Sequence, residues 1–204
     1  MHTITYHRDS EIIKHLLNKD PMLHALFMHK ESITVRVSDR YFESLIDTII
    51  AQQLSGKVAT VISKRFFDYF HGHVTPQDLL DTPDEQLRTL GLSFQKIKYL
   101  KSLADCIITK KVDLEHLNHL TDQEVIDMLI QIKGIGVWTA QMFLMFSLGR
   151  EDVFSVGDLG LRNAVKKLYN DPDLSHQAIE KIAEKWSPYR SVVSHFLWHA
   201  WDGE

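Results

Sequence analysis

Two glycines and one carboxylate offer this chain its clearest chemistry. Gly134 and Gly136 lie in the run Gln131-Ile132-Lys133-Gly134-Ile135-Gly136-Val137-Trp138-Thr139-Ala140, and Asp158 follows further on. Apolar residues of helical period lead into the glycines from Asp122 to Ile130 and out of them from Val137 to Leu148, so Gly-Ile-Gly must reverse the chain between two helices. Glycine can take positive φ there. Lacking Cβ, it also lets a phosphate come close enough for backbone N–H groups at the next helix's start to hydrogen-bond the anion. Asp158, just ahead of Leu159, Leu161, Val165 and Leu168, reads either as a helix N-cap or as a lone anion set to stabilise developing positive charge. Trp138 reads either as a core aromatic or as a stacking surface.

Other constellations are weaker. His195 and His199 have the four-residue spacing of helical metal ligands, but Phe196 stands where His-Glu-x-x-His has its glutamate, and no third ligand is apparent. No metal is expected. The one cysteine, Cys106, excludes an internal disulfide or a four-cysteine metal site, and its neighbours Leu103, Ile107 and Ile108 point to a buried thiol. A net charge of −4 argues against indiscriminate nucleic-acid binding. It leaves room for local sites at Lys57/Lys64/Arg65, Lys96/Lys98/Lys101, Lys133 and Arg162/Lys166/Lys167, though each lysine also reads as part of a solvated helix face. No stretch approaches the roughly 18 apolar residues of a membrane span, and Met1 to Asp20 lacks a signal-peptide core, so a soluble, intracellular protein with no membrane partner is expected.

The elements that must position these residues are almost all helical. With 44% hydrophobic residues, 204 residues can bury a substantial core. Phe42, Leu45, Ile46, Ile49 and Ile50 line one predicted face, and Val58, Val61, Ile62, Phe66 and Phe70 another. Thr75-Pro76 and Thr82-Pro83-Asp84-Glu85 start short helices, Gly91 ends one, and Thr121-Asp122-Gln123-Glu124 makes a capping box. Two last helices run from about Gln177 to Trp186 and from Tyr189 to Trp201. Only Ile33 to Val37 alternates like a strand, too short and solitary to build a sheet, so the expected fold is all-α.

Several strings, taken in order, resemble the helix–hairpin–helix (HhH-GPD) DNA glycosylase superfamily, and within it alkylbase glycosylases of the 3-methyladenine DNA glycosylase II (AlkA) type. They are Ile132 to Ala140, Asp152-Val153-Phe154, Val156-Gly157-Asp158-Leu159, Phe42-Glu43-Ser44-Leu45 with Gln52-Gln53-Leu54-Ser55, Gly91-Leu92-Ser93 with Lys96, and Pro188-Tyr189-Arg190-Ser191 with Trp198. The resemblance runs from Arg40 to the C-terminus. It implies two helical lobes, about 40–148 with the hairpin and about 1–39 plus 149–204, with the active site in the cleft between them.

The function so implied is hydrolysis of the N-glycosidic bond of alkylated purines in duplex DNA, by base flipping, in base-excision repair. Asp158 would be the catalytic carboxylate, and Trp138, Trp198 and Met142 would line the base pocket. Lys133, Gly134, Gly136 and Thr139 would meet DNA, and Gln53 or Leu54 would wedge into the gap, Leu54 reading equally as a core leucine. Relatives that also cut the backbone carry a lysine where this chain has Trp138, so a monofunctional enzyme is expected. No cofactor is required, although hairpin carbonyls could hold a monovalent cation. Duplex DNA with alkylated bases is the expected partner, and no obligate protein partner is evident.

The chain departs from the pattern at Lys133, where many relatives have proline, at Met142, where some have tyrosine, and at Val156-Gly157, which lacks a proline often found before the aspartate. It also looks too short at its N-terminus for the extra sheet-containing domain of longer relatives. A non-catalytic hairpin module recognising DNA structure or damage is the alternative.

Overall fold

A strand that sequence pattern leaves unread opens the structure. The computed structural model describes residues 2–201. Strand β1 (His2–His7) leads through α1 (Glu11–Lys19) and α2 (Leu23–Met28) to β2 (Ser32–Val37), and the strands pair antiparallel with Ile4 opposite Val35 and Tyr6 opposite Ile33. The segment Ile33 to Val37 is thus not solitary. Its partner carries only Ile4 and Tyr6 among histidines and threonines, too few apolar residues to announce alternation. Apart from this strand pair the described residues form a helical protein.

The chain then runs through α3 (Tyr41–Ala51), α4 (Gly56–Tyr69), α5 (Pro76–Asp81), α6 (Asp84–Thr89), α7 (Phe94–Ile108), α8 (Asp122–Leu129) and α9 (Val137–Phe146), and closes with α10 (Leu159–Leu168), α11 (His176–Glu184) and α12 (Arg190–Trp201). Two compact units result, Met1–Asp39 with Leu144–Glu204, and Arg40–Phe143. The division falls inside α9, one turn before the end expected near residue 148.

Capping chemistry sets many of the boundaries. Thr75 and Thr121 form reciprocal capping boxes with Asp78 and Glu124, satisfying N–H groups that a helix start leaves open. Within the second unit α3 packs on α4 and α7, and α7 also packs on α5 and α6. Leu45, Ile46, Ile49 and Ile50 are buried as their period demands, and so is Cys106. In α4 the buried stripe holds Ile62 and Phe66, while Val58 and Val61 are 45% and 49% exposed. The expected face was therefore too wide at the N-terminal half of that helix.

In the first unit, Ile13, Leu16, Leu23 and Phe27 from the chain's beginning pack with Leu161, Val165, Trp186 and Phe196 from its end. Each such side chain contributes about 1.5–3 kcal/mol by leaving water. The same interior holds the Asp20 carboxylate, which accepts hydrogen bonds from Tyr169 Oη and, at 2.9 Å, from Trp186 Nε1. Burial, and then the bond to Asp20, hold the Tyr169 phenol protonated well above its usual range.

Candidate functional site

The hairpin lies wholly in the second unit, between α8 and α9. Ile132 and Ile135 are buried and anchor it, while Lys133, Gly136 and Val137 face outward. The two glycines do different work. Gly134 has φ +88°, and a Cβ there would sit 2.3 Å from Tyr99 Cδ2, so neither the backbone nor the packing admits a side chain. Gly136 has nothing within 4 Å of a Cβ position; its bareness keeps open the N-terminus of α9, whose first-turn N–H groups lack intrahelical partners.

Long-range bonds hold this turn. Lys133 N–H donates to Ser102 Oγ at 3.1 Å, and Gln52 Nε2 donates to the Gly134 carbonyl at 2.8 Å. Gln52 begins the turn Gln52-Gln53-Leu54-Ser55 after α3, so that turn and the hairpin are tied together. At its other side Lys96 Nζ caps the Ile50 carbonyl at 2.6 Å, and burial lowers the Lys96 pKa. Gln53 is exposed with φ +58°, a left-handed conformation uncommon for a side-chain-bearing residue, whereas Leu54 is half-buried. Of the remaining expected residues in this unit, Trp138 is 46% exposed and Met142 half-buried, but Thr139 is buried at 6%, leaving its backbone rather than its hydroxyl for any DNA contact.

Asp158 belongs to the first unit, where it is the N-cap of α10. Its Oδ1 accepts the Leu161 N–H at 2.8 Å and Trp198 Nε1 at 3.1 Å. The N-cap reading is thus correct, and the carboxylate is half-buried rather than enclosed. Leu159, on the outer side of this turn, is 62% exposed. Gly160 makes the pairing with Trp198 feasible: a Cβ there would crowd Asp158 Oδ1 at 3.1 Å and Trp198 Cδ1 at 3.5 Å.

Trp198 in turn belongs to an aromatic group. Its ring lies 5.7 Å from Phe146, which is 40% exposed, and 5.9 Å from His195. His195 is buried, with Phe146 at 5.2 Å and Tyr6 at 6.4 Å. Burial, aided by the neighbouring His199, pushes its pKa down to about 4, so the imidazole is neutral near pH 7. Among the described residues no group of three His, Cys, Asp or Glu side chains could hold a metal ion.

The loop carrying Asp158 is clipped to the start of α12. Arg190 grips Asp152 with both Nε (2.7 Å) and Nη2 (3.2 Å). Burial would raise the Asp152 pKa, but hydrogen bonds from Arg190 and Ser187 and the guanidinium charge outweigh it and hold the carboxyl below its usual range. Ser191 Oγ accepts from Val153 N–H at 2.9 Å and donates to the Arg150 carbonyl at 2.7 Å, and Arg162 Nη1 donates to the Val156 carbonyl at 2.7 Å. Sequence reasoning noted the string Pro188 to Ser191 without seeing this brace. It missed Phe146, Gly160, Tyr99 and the Gln52 tie altogether; a glycine in the first turn of α10, where helix propensity disfavours it, was the one signal available.

Comparison with known proteins places this arrangement. The profile of the HhH-GPD superfamily of base excision DNA repair proteins matches residues 46–188, and the chain belongs to that family. It is a DNA glycosylase of base-excision repair, which sets aside the non-catalytic module. It is 36% identical over 161 residues to DNA-3-methyladenine glycosylase 1 of Schizosaccharomyces pombe, covering 77% of this chain and 71% of that one. Among solved structures it resembles a DNA-3-methyladenine glycosidase from Bacillus halodurans (TM-score 0.89, 34% identity, 97% of this chain and 92% of that). It also resembles S. pombe Mag1 in complex with abasic DNA (TM-score 0.80, 31% identity, 94% and 97%). No helix among the described residues is long and apolar enough to cross a membrane.

Proposed function

We propose that this enzyme is a monofunctional glycosylase that hydrolyses the N-glycosidic bond of alkylated purines, such as 3-methyladenine, in duplex DNA and leaves the backbone intact. The observation that carries the reading is the Asp158 carboxylate, oriented by the Leu161 amide and the Trp198 indole beside an aromatic wall. As the base departs, positive charge builds on the deoxyribose. A fixed carboxylate stabilises that oxocarbenium-like state and can orient or deprotonate the attacking water. An alkylated purine already carries positive charge and leaves readily. The electron-rich face of Trp198 attracts such a cation, contributing about 0.5–2 kcal/mol. The neutral His195 adds no opposing charge beside Trp198.

Binding divides among the parts described. Phosphate oxygens accept from the first-turn amides of α9 beyond Gly136, with the Lys133 ammonium adding charge. Gln53, exposed and held in a strained turn by Gln52 and Lys96, is the better placed wedge to replace the flipped base, with Leu54 supporting it from a half-buried position. The hairpin's Ile132 and Gly134 carbonyls already accept from Ile135 N–H and Gln52 Nε2. Each keeps a second lone pair, so a monovalent cation bridging to phosphate would fit there without being required. Trp138 stands where the backbone-cutting relatives carry their lysine nucleophile, and tryptophan cannot form a Schiff base.

The test is base release from methylated duplex DNA. Wild type should release alkylated purine and leave alkali-labile, uncut abasic strands, and borohydride should trap no covalent adduct. Asp158→Asn should lower single-turnover release by about 100-fold or more, the scale seen when a preorganised electrostatic group is lost. Binding to damaged duplex should persist. Wild-type turnover in the variant would remove Asp158 from the chemistry, and a trapped adduct would end the monofunctional assignment.

A further inference from the structure

A hollow of about 610 Å³ opens on the second unit beside the hairpin, lined by Lys98, Lys101, Lys111 and Lys133, with Ser102 and Asp105 between them. Four lysines against one acid invert the balance of a chain whose net charge is −4. The fold gathers them deliberately. On α7, Lys98, Lys101 and Asp105 share a face by helical period, and the Ser102 hydroxyl between them holds the Lys133 backbone, fixing the hairpin's cation at the same rim. Lys101 pairs with Asp84 at 2.5 Å, while no ion pair forms at Lys98, Lys111 or Lys133 among the described residues. Like charges collected around a concavity raise its potential and favour an anion within it.

We infer that this hollow is a second phosphate-binding site, distinct from the hairpin amides, that takes the phosphodiester backbone of DNA beyond the segment the hairpin holds. Every cation lining it is lysine and none is arginine. A lysine ammonium acts as a point charge that meets a phosphate in many orientations, whereas arginine's planar fork imposes a fixed bidentate geometry on a carboxylate or phosphate, so an all-lysine lining suits a backbone held without fixed register. Lys133 belongs to both the hairpin and the hollow, so a strand leaving the amides meets the other lysines next. The DNA assignment rests on the glycosylase reading; the phosphate chemistry does not.

The experiment measures equilibrium binding of the full chain to undamaged duplex across salt, with folding checked by circular dichroism. Lys98→Ala/Lys111→Ala should flatten the slope of log K against log salt by up to about 1.8, at about 0.9 per lost phosphate contact. Lys19→Ala/Lys181→Ala, which removes equal charge from the first unit, should leave the slope unchanged. An equal drop in both pairs would show a net-charge effect and overturn the site. Calorimetric titration with inorganic tripolyphosphate separates the sources: an unchanged slope with tripolyphosphate binding lost in the first pair keeps a phosphate site but assigns it to free polyphosphate. No change in either measurement overturns the inference. Failure of the glycosylase reading would show separately, as absence of base release by wild type from methylated duplex.

Discussion

Asp158 serves structure and chemistry with one carboxylate, and the two can be separated. Asparagine caps helices about as well as aspartate, so Asp158→Asn should leave thermal stability nearly unchanged, while Asp158→Ala should cost about 0.5–2 kcal/mol with the cap. Thermal unfolding of both variants beside their base-release rates checks this; equal losses of stability would mean the charge itself holds the fold. His195 makes a different prediction. Its pKa falls from 6.5 when unfolded to about 4 when folded, so the unfolded chain takes up a proton first as the solution is acidified. Stability is therefore full above pH 6.5 and drains away between pH 6.5 and 4, by roughly 3 kcal/mol at about 1.4 kcal/mol per pH unit. Urea unfolding at pH 7 and pH 5 should show a clearly smaller acid loss in His195→Gln than in wild type. Equal losses would mean that His195 takes up its proton as easily folded as unfolded.

Among the elements, the hairpin was the most legible from sequence. Chain reversal between two periodic helices needs glycine locally, and Thr121 with Glu124 announced the helix before it. Its two glycines nonetheless diverge in the structure, and so do their variants. Gly134→Ala forces a methyl into Tyr99 and an alanine into positive φ, and should destabilise the fold by at least about 1–2 kcal/mol from the backbone alone. Gly136→Val should fold normally yet weaken binding to damaged and undamaged duplexes alike, because phosphate contacts position without reading sequence. Chemical denaturation and binding isotherms decide between these outcomes; a normally stable Gly134→Ala would show that neither the positive φ nor Tyr99 constrains this position. What sequence could not show were pairings between distant elements. Trp198 reaches Asp158 across 40 residues, Arg190 reaches Asp152 across 38, and Gln52 reaches Gly134 across 82. No local period encodes such contacts. Strand β1 was lost for a related reason, since only its partner makes Ile4 and Tyr6 an apolar face.

For the whole molecule, chain order and spatial order disagree. Residues 40–143 form one unit without interruption, while the other combines both flanks of the chain. The continuous unit carries its own buried residues on α3, α4 and α7, so residues 40–143 made alone should give a helical far-ultraviolet spectrum and a cooperative thermal transition. A featureless, non-cooperative melt would show that its core is insufficient by itself.

The divided unit has a consequence for biosynthesis. Ile13, Leu16, Leu23 and Phe27 leave the ribosome early, yet Leu161, Val165, Trp186 and Phe196, against which they pack, emerge only after the whole continuous unit has been translated. From Phe27 to Leu161, at about 5–20 residues per second, that interval is roughly 7–27 s. Throughout it the nascent N-terminal segment displays an apolar face with no mate, a natural client for ribosome-associated chaperones. Slowing translation within residues 40–143 should therefore lower soluble yield, whereas slowing it within residues 2–12, before that apolar face is made, should not.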